Sequence, residues 1–114
     1  MIRNLTVSNP EEPPQDADPS SPLVAEVAQD LLDTMRHHDL PSISAPDIAI
    51  AIRMILIESY DGPLFILNPK IKAREAKRIY LAGMNLQGNA IALEIAGDEA
   101  QLISNEVDRL DGNL

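Results

Sequence analysis

Cysteine and tryptophan are absent from this 114-residue chain, and aromatic residues of any kind are scarce, with one Phe and two Tyr. Without a thiol there is no disulfide and no thiolate ligand for a metal, a composition that fits a reducing compartment. Basic residues are few as well: 9 Lys and Arg stand against 18 Asp and Glu, for a net charge of −9. Nucleic-acid affinity comes largely from neutralising phosphates, so this field excludes nucleic acid as a partner and disfavours anionic membranes for the same reason. Long apolar runs are missing too. The richest, IAIAIRMILI at 48–57, is interrupted by Arg53 and is too short to span a bilayer. The N-terminus shows no charged-then-apolar leader. These absences describe a soluble, cytoplasmic protein.

What remains suits one small domain with a core of Ile, Leu, Val, Met and Ala. Residues 8–22, SNPEEPPQDADPSSP, hold five Pro, four acids and no base. The composition predicts an extended acidic arm over residues 1–22, ahead of a folded domain at 23–114. Ser21 and Pro22 make a helix start, and Val24, Val27, Ala28, Leu31 and Met35 form a stripe at helical spacing that ends near His37-His38-Asp39, before Pro41. Residues 40–47 read as a loop and 48–57 as a buried strand. Ser59 to Pro63 turns the chain, and Leu64 to Leu67 pairs back until Asn68-Pro69 ends the strand. Residues 77–86 and 90–96 are two further strands around Gln87-Gly88-Asn89. Asp98 is placed to cap a last helix with Ala100, Ile103, Val107 and Leu110 on its buried stripe and Gly112 at its end. The fold class is α+β: a small antiparallel-rich sheet packed on an N-terminal and a C-terminal helix.

The last helix carries Asn105-Glu106-Val107-Asp108-Arg109. His at 105 and 109 would make it H-E-V-D-H, in which residues four apart share one helix face, bind one ion and leave the Glu to work on the metal-bound water. Two other segments stand in order before it: Leu40-Pro41-Ser42-Ile43-Ser44-Ala45-Pro46-Asp47, and Phe65-Ile66-Leu67-Asn68-Pro69-Lys70-Ile71. With Ala96 to Ala100 and the trailing Leu110-Asp111-Gly112, they resemble the peptide deformylase family across nearly the whole chain. That family shows G-x-G-x-A-A-P-Q, I-N-P-x-I, E-G-C-L-S and Q-H-E-x-D-H-L-x-G.

The resemblance implies a small α+β hydrolase fold whose active members use a divalent metal, often iron, to remove the formyl group from N-formylmethionyl peptides. Glu106 stands at the general acid/base position, Asp47 at that of the oxyanion-stabilising Gln, and Ile43, Ser44, Ala45 and Pro46 at the substrate cleft. Each of the three metal-ligand positions departs from the pattern. The segment carrying the Cys is missing between Ile71 and the next strand, and Asn105 and Arg109 replace the two His. Asn is a poor ligand, Arg has no lone pair to give, and an ionised Asp47 offers no donor to an oxyanion. The expectation is a catalytically inactive pseudoenzyme with no cofactor. It would act as a binding or regulatory module for peptide N-termini or another protein, or else be a decayed paralogue. The alternative is a divergent deformylase acting on N-formylmethionyl peptides. Arg109 either fills the former metal cavity, pairing with Asp47, Glu106 or both, or points to solvent. The oligomeric state stays open.

Other features have plainer readings. His37 and His38 suit the C-terminal end of a helix dipole better than a metal site. Lys70, Lys72, Arg74, Lys77 and Arg78 put five bases into nine residues. They read as a solvated strand edge, with a docking patch for an acidic partner or RNA, or a seat for the acidic arm, as the functional alternatives. Met35, Met54 and Met84 read as core filler.

Overall fold

The computed structural model describes residues 1–6 and 13–112; the part of the acidic arm at 7–12 lies outside the described residues. Helix α1 spans Pro22–His37. Five strands follow: β1 (Ser42–Ser44), β2 (Met54–Ser59), β3 (Gly62–Glu75), β4 (Arg78–Met84) and β5 (Ala90–Ala96). Helix α2 spans Gly97–Leu110. The strands form one antiparallel sheet in chain order, β1 to β5. No helix is long and apolar enough to cross a membrane.

The sheet divides the core in two. Successive strand residues point to opposite faces, and β2 is apolar on both. Met54 and Leu56 join Val27, Leu31 and Met35 of α1, while Ile55 and Ile57 join Ile103, Val107 and Leu110 of α2. A strand covered on both faces has no polar alternation, which is why the run was legible as buried. Each fully buried Leu or Ile of this kind contributes about 1.5–3 kcal/mol. At the start of α1, Ser21 Oγ accepts from the Leu23 N–H, with Pro22 at the first helical position. Helix α2 begins without a side-chain cap. Its N-cap is Ala96, so Asp98 only adds charge to the first turn.

Three boundaries differ from the sequence expectations. Residues 48–57 are not one strand. Ala45–Ile48 form a 3-10 turn opened by Pro46, Ala49 takes φ +65°, and regular pairing starts only at Met54. The loop expected at 40–47 contains β1, which pairs with β2. Asn68-Pro69 does not end β3. The register shifts there, so that Asn68 and Pro69 bulge opposite Gly83 and the strand continues to Glu75. A bulge leaves residues outside the ladder, so the missing Pro69 N–H is tolerated. Gly83 is required by the close approach: a Cβ there would lie 2.9 Å from the Ile66 side chain and 3.0 Å from the Leu67 carbonyl oxygen.

The bulge also holds the arm. Asn68 adopts φ +53°, a conformation Asn tolerates, and its amide grips the backbone of Ala17 on both sides: Ala17 N–H donates to Oδ1 at 2.6 Å, and Nδ2 donates to the Ala17 carbonyl at 2.9 Å. Gln15 adds a backbone bridge, donating to Ala51 O and accepting from Arg53 N–H. Further up, Arg3 and the N-terminal ammonium pair with Asp30 of α1. The described arm is extended and lies against α1 and the Ala51–Arg53 segment; the contacts described for it lead away from the basic β3–β4 turn.

Candidate functional site

The alternation of β1 sets up the site. Ile43 points to the α1 core, whereas Ser42 and Ser44 point beneath α2. Glu106, on the buried stripe of α2, comes down between them. Ser42 Oγ donates to Glu106 Oε1 at 3.1 Å. Burial pushes the Glu106 carboxyl above the usual glutamate range, and hydrogen bonds from Ser42 and Ser44 partly oppose this.

Asp47 approaches from the other side. The 3-10 turn buries it, and its Oδ2 accepts from the Ser44 N–H at 2.9 Å. Arg109, one helical turn beyond Glu106, reaches both acids. Its guanidinium forms an ion pair with Asp47 Oδ1, lies 3.4 Å from Asp47 Oδ2, and lies 3.5 Å from Glu106 Oε2. The Arg109 side chain remains 42% exposed, against 11% for Asp47 and 8% for Glu106. Of the two open placements, the structure thus has Arg109 paired with both carboxylates at the rim of the site.

Asn105 is elsewhere. It is exposed and accepts from Gln101 Nε2 at 2.9 Å on the solvent side of α2. Asp108 is turned away from Glu106 and pairs with Arg74 at 2.7 Å. Ile43, Ser44 and Ala45 are buried and Pro46 is half-buried. None of the four lines the cleft of about 600 Å³ that lies between the β3–β4 turn and the start of α2 among Arg74, Lys77, Arg78, Gly97, Gln101 and Asp108. In the basic cluster, Arg74 and Arg78 are engaged with Asp108 and Glu94.

Sequence reasoning did not single out Ser42 as a partner of Glu106. The available signal was a hydroxyl where the deformylase pattern has glycine, two residues before a second Ser on the same strand face. Among the described residues, no three His, Cys, Asp or Glu side chains gather as a metal-binding group.

No protein-family model matches the chain. Among curated proteins it is similar to the peptide deformylase of Dictyoglomus thermophilum, at 26% identity over 80% of this chain and 73% of that one. It is similar, also at 26%, to the peptide deformylase of Desulforudis audaxviator, over 81% and 75%. The solved peptide deformylase of Thermotoga maritima has the same fold, with a TM-score of 0.90, 19% identity, and coverage of 100% of this chain and 95% of that one. The Met-Ala-Ser-bound class I type b enzyme of Acinetobacter baumannii superposes with a TM-score of 0.87 at 18% identity, covering 100% and 97%. The chain is thus similar in sequence to peptide deformylases and shares their fold. Within this fold, Asn68 holds the arm, Glu106 is buried beneath Ser42 and Ser44, and Asp108 pairs with Arg74.

Proposed function

We propose that this deformylase-family chain holds no catalytic metal and has no deformylase activity, and that it serves as a binding or regulatory module in the cytoplasm, for peptide N-termini or for another protein. The observation that carries the reading is the guanidinium of Arg109 between Asp47 and Glu106. A divalent ion needs lone pairs. Arg109 has none and brings a fixed positive charge to the two carboxylates nearest the site. Asn105, at the other imidazole position, faces solvent with its amide engaged by Gln101, and the chain has no Cys. This donor set does not fit the family's metal. Without a metal no bound water is made acidic, and a lone Glu106 whose charged form is penalised by burial is no substitute.

The choice of peptide N-termini rests on family analogy: the Acinetobacter relative is described with Met-Ala-Ser bound. The test is metal content after anaerobic incubation of the purified chain with iron, nickel and zinc, with a formyl-Met-peptide assay on the same sample and a calorimetric titration with Met-Ala-Ser. The expected result is no stoichiometric metal and no turnover. One metal per chain with turnover would overturn the reading in favour of a divergent deformylase, with Asp47, Glu106 and Asn105 the residues to replace next. Absence of heat with Met-Ala-Ser would remove peptide N-termini and leave a protein partner.

A further inference from the structure

We propose that β5 is a self-pairing edge, through which two copies of this chain join their sheets into one. The inference is independent of whether the chain binds metal. Strand β5 ends the sheet, and among the described residues no other strand pairs with its outer side. Natural edge strands are protected by Lys, Pro, bulges or a covering element, because a row of unpaired N–H and C=O groups is a template for another strand. Residues 90–96, AIALEIA, have no Lys and no Pro, and pair with β4 without a register shift from Ala90 to Ala96. The contrast with β3, which carries two register shifts, is internal to the same sheet.

The hydrogen-bond parity says which groups are free. Gly97 N–H donates to Lys77 O, and Asn89 O accepts from Asn85 N–H, both towards the β4 side. Along an antiparallel strand the bonding direction alternates residue by residue. Ile91, Leu93 and Ile95 therefore bond to β4, and Ala90, Ala92 and Glu94 direct their N–H and C=O groups outward; Ala96 offers only its N–H, because as N-cap of α2 its carbonyl accepts the first bond of the helix. All four are exposed.

This pattern fits itself. An antiparallel two-fold through Leu93 sets Ala92 opposite the partner's Glu94, where all the free groups meet, and Ala90 opposite the partner's Ala96, where the Ala96 N–H meets the Ala90 carbonyl. Leu93 then faces the partner's Leu93, and Ile91 faces the partner's Ile95, extending the half-buried apolar row that packs under α2. The one charged residue of the strand, Glu94, is already paired with Arg78 and faces an alanine, so no like charges are opposed. A shift of one residue towards the C-terminus would set Glu94 against its own copy. The partner that meets both conditions is thus a second copy, in an isologous arrangement. Because each copy carries −9, added salt should tighten the pairing by screening.

The test is sedimentation velocity of the full chain from micromolar to millimolar concentration at low and high salt. Ala92→Pro and Ala92→Lys serve as edge variants. The Ala92 N–H points outward, so proline removes no bond to β4, and thermal melts verify that both variants fold. A dimer in the parent chain, favoured by salt and lost in both variants, is expected. The register is read by mild oxidation of two single-cysteine variants in a chain that has no other thiol. Leu93→Cys should cross-link to itself, since facing Cα atoms in such a pair lie about 4.5 Å apart, within disulfide reach. Ile91→Cys, facing Ile95, should not. A parent chain that stays monomeric throughout, as it would if β5 served only a different protein's strand, overturns the proposal. So does a dimer that both edge variants leave intact, or equal cross-linking of the two cysteine variants.

Discussion

Two segments carry the clearest deformylase motifs, and they have fared differently. At Phe65–Ile71 the Asn-Pro pair is retained, and its work is architectural: Asn68 bulges β3 and clamps Ala17 with two hydrogen bonds. At Asn105–Arg109 both imidazoles are replaced, and what remains is one buried acid held by two hydroxyls and faced by a guanidinium. The first segment shapes the backbone, and backbone geometry tolerates few alternatives. The second brings Glu106 beside the buried Asp47, and buried carboxylates need neutralising. Arg109 is a physical answer to that need, since an unpaired buried charge is more costly than a paired one.

The largest break in this comparison should come from the architectural segment. Asn68→Ala removes both bonds to Ala17 and leaves the Ala17 N–H, on a buried residue, without its partner. It also places a residue with a Cβ and no local hydrogen bond at φ +53°. The loss should be about 2–4 kcal/mol, read as a lower denaturant midpoint. A loss below about 0.5 kcal/mol would mean that Gln15 and the N-terminal contacts to Asp30 hold the arm without Asn68.

Changes at Arg109 should be smaller. The guanidinium is 42% exposed, so solvent screening discounts the ion pair. Arg109→Met should cost about 0.5–1 kcal/mol, and Asp47→Asn somewhat more because Asp47 also accepts the Ser44 N–H. The double variant should be less destabilised than the sum of the two singles, by about 0.5 kcal/mol or more. Strict additivity in chemical denaturation would mean that the pair contributes nothing.

The finest distinction is in pH. The folded-state pKa of Glu106 lies above its unfolded value because burial disfavours the charged form. Its contribution to stability is therefore fully present below the ordinary glutamate range of about 4.3 and is lost as pH rises through the raised folded value. Wild type should thus gain on Glu106→Gln as the solution is acidified, and fall behind it towards neutral pH. Asp30 moves the other way: hydrogen bonds from the N-terminal ammonium and Arg3 hold its carboxyl low, so its contribution disappears in acid. It does so in both chains, and the difference between their melting temperatures isolates Glu106. A difference independent of pH would show that folding does not shift the Glu106 titration.

Much of the fold was legible because it repeats at short range. The stripe of α1, the stripe of α2, and the turns at Asp61-Gly62 and Gln87-Gly88-Asn89 are properties of neighbouring residues. The strand boundaries at 48–57 were not legible. A buried strand and an apolar 3-10 turn have the same composition, and only Pro46 and the left-handed Ala49 separate them. Asn68-Pro69 was misread for a related reason. Proline is a strand breaker unless a bulge absorbs it, and the bulge depends on Gly83 across the sheet.

By itself, the sequence determined the two helices, the order of the strands after β1, the apolar faces and the acidic charge. Each of these is written in residue identity and spacing. Tertiary structure alone decided that β2 serves two cores, that Ser42 lies under Glu106, and that Arg109 reaches Asp47 rather than solvent. It also decided which backbone groups of β5 face outward. Arg109 and Asp47 are 62 residues apart, and Ser42 and Glu106 are 64 apart. No local rule connects residues at such separations; they meet because the sheet's alternation and the packing of α2 bring them to one place.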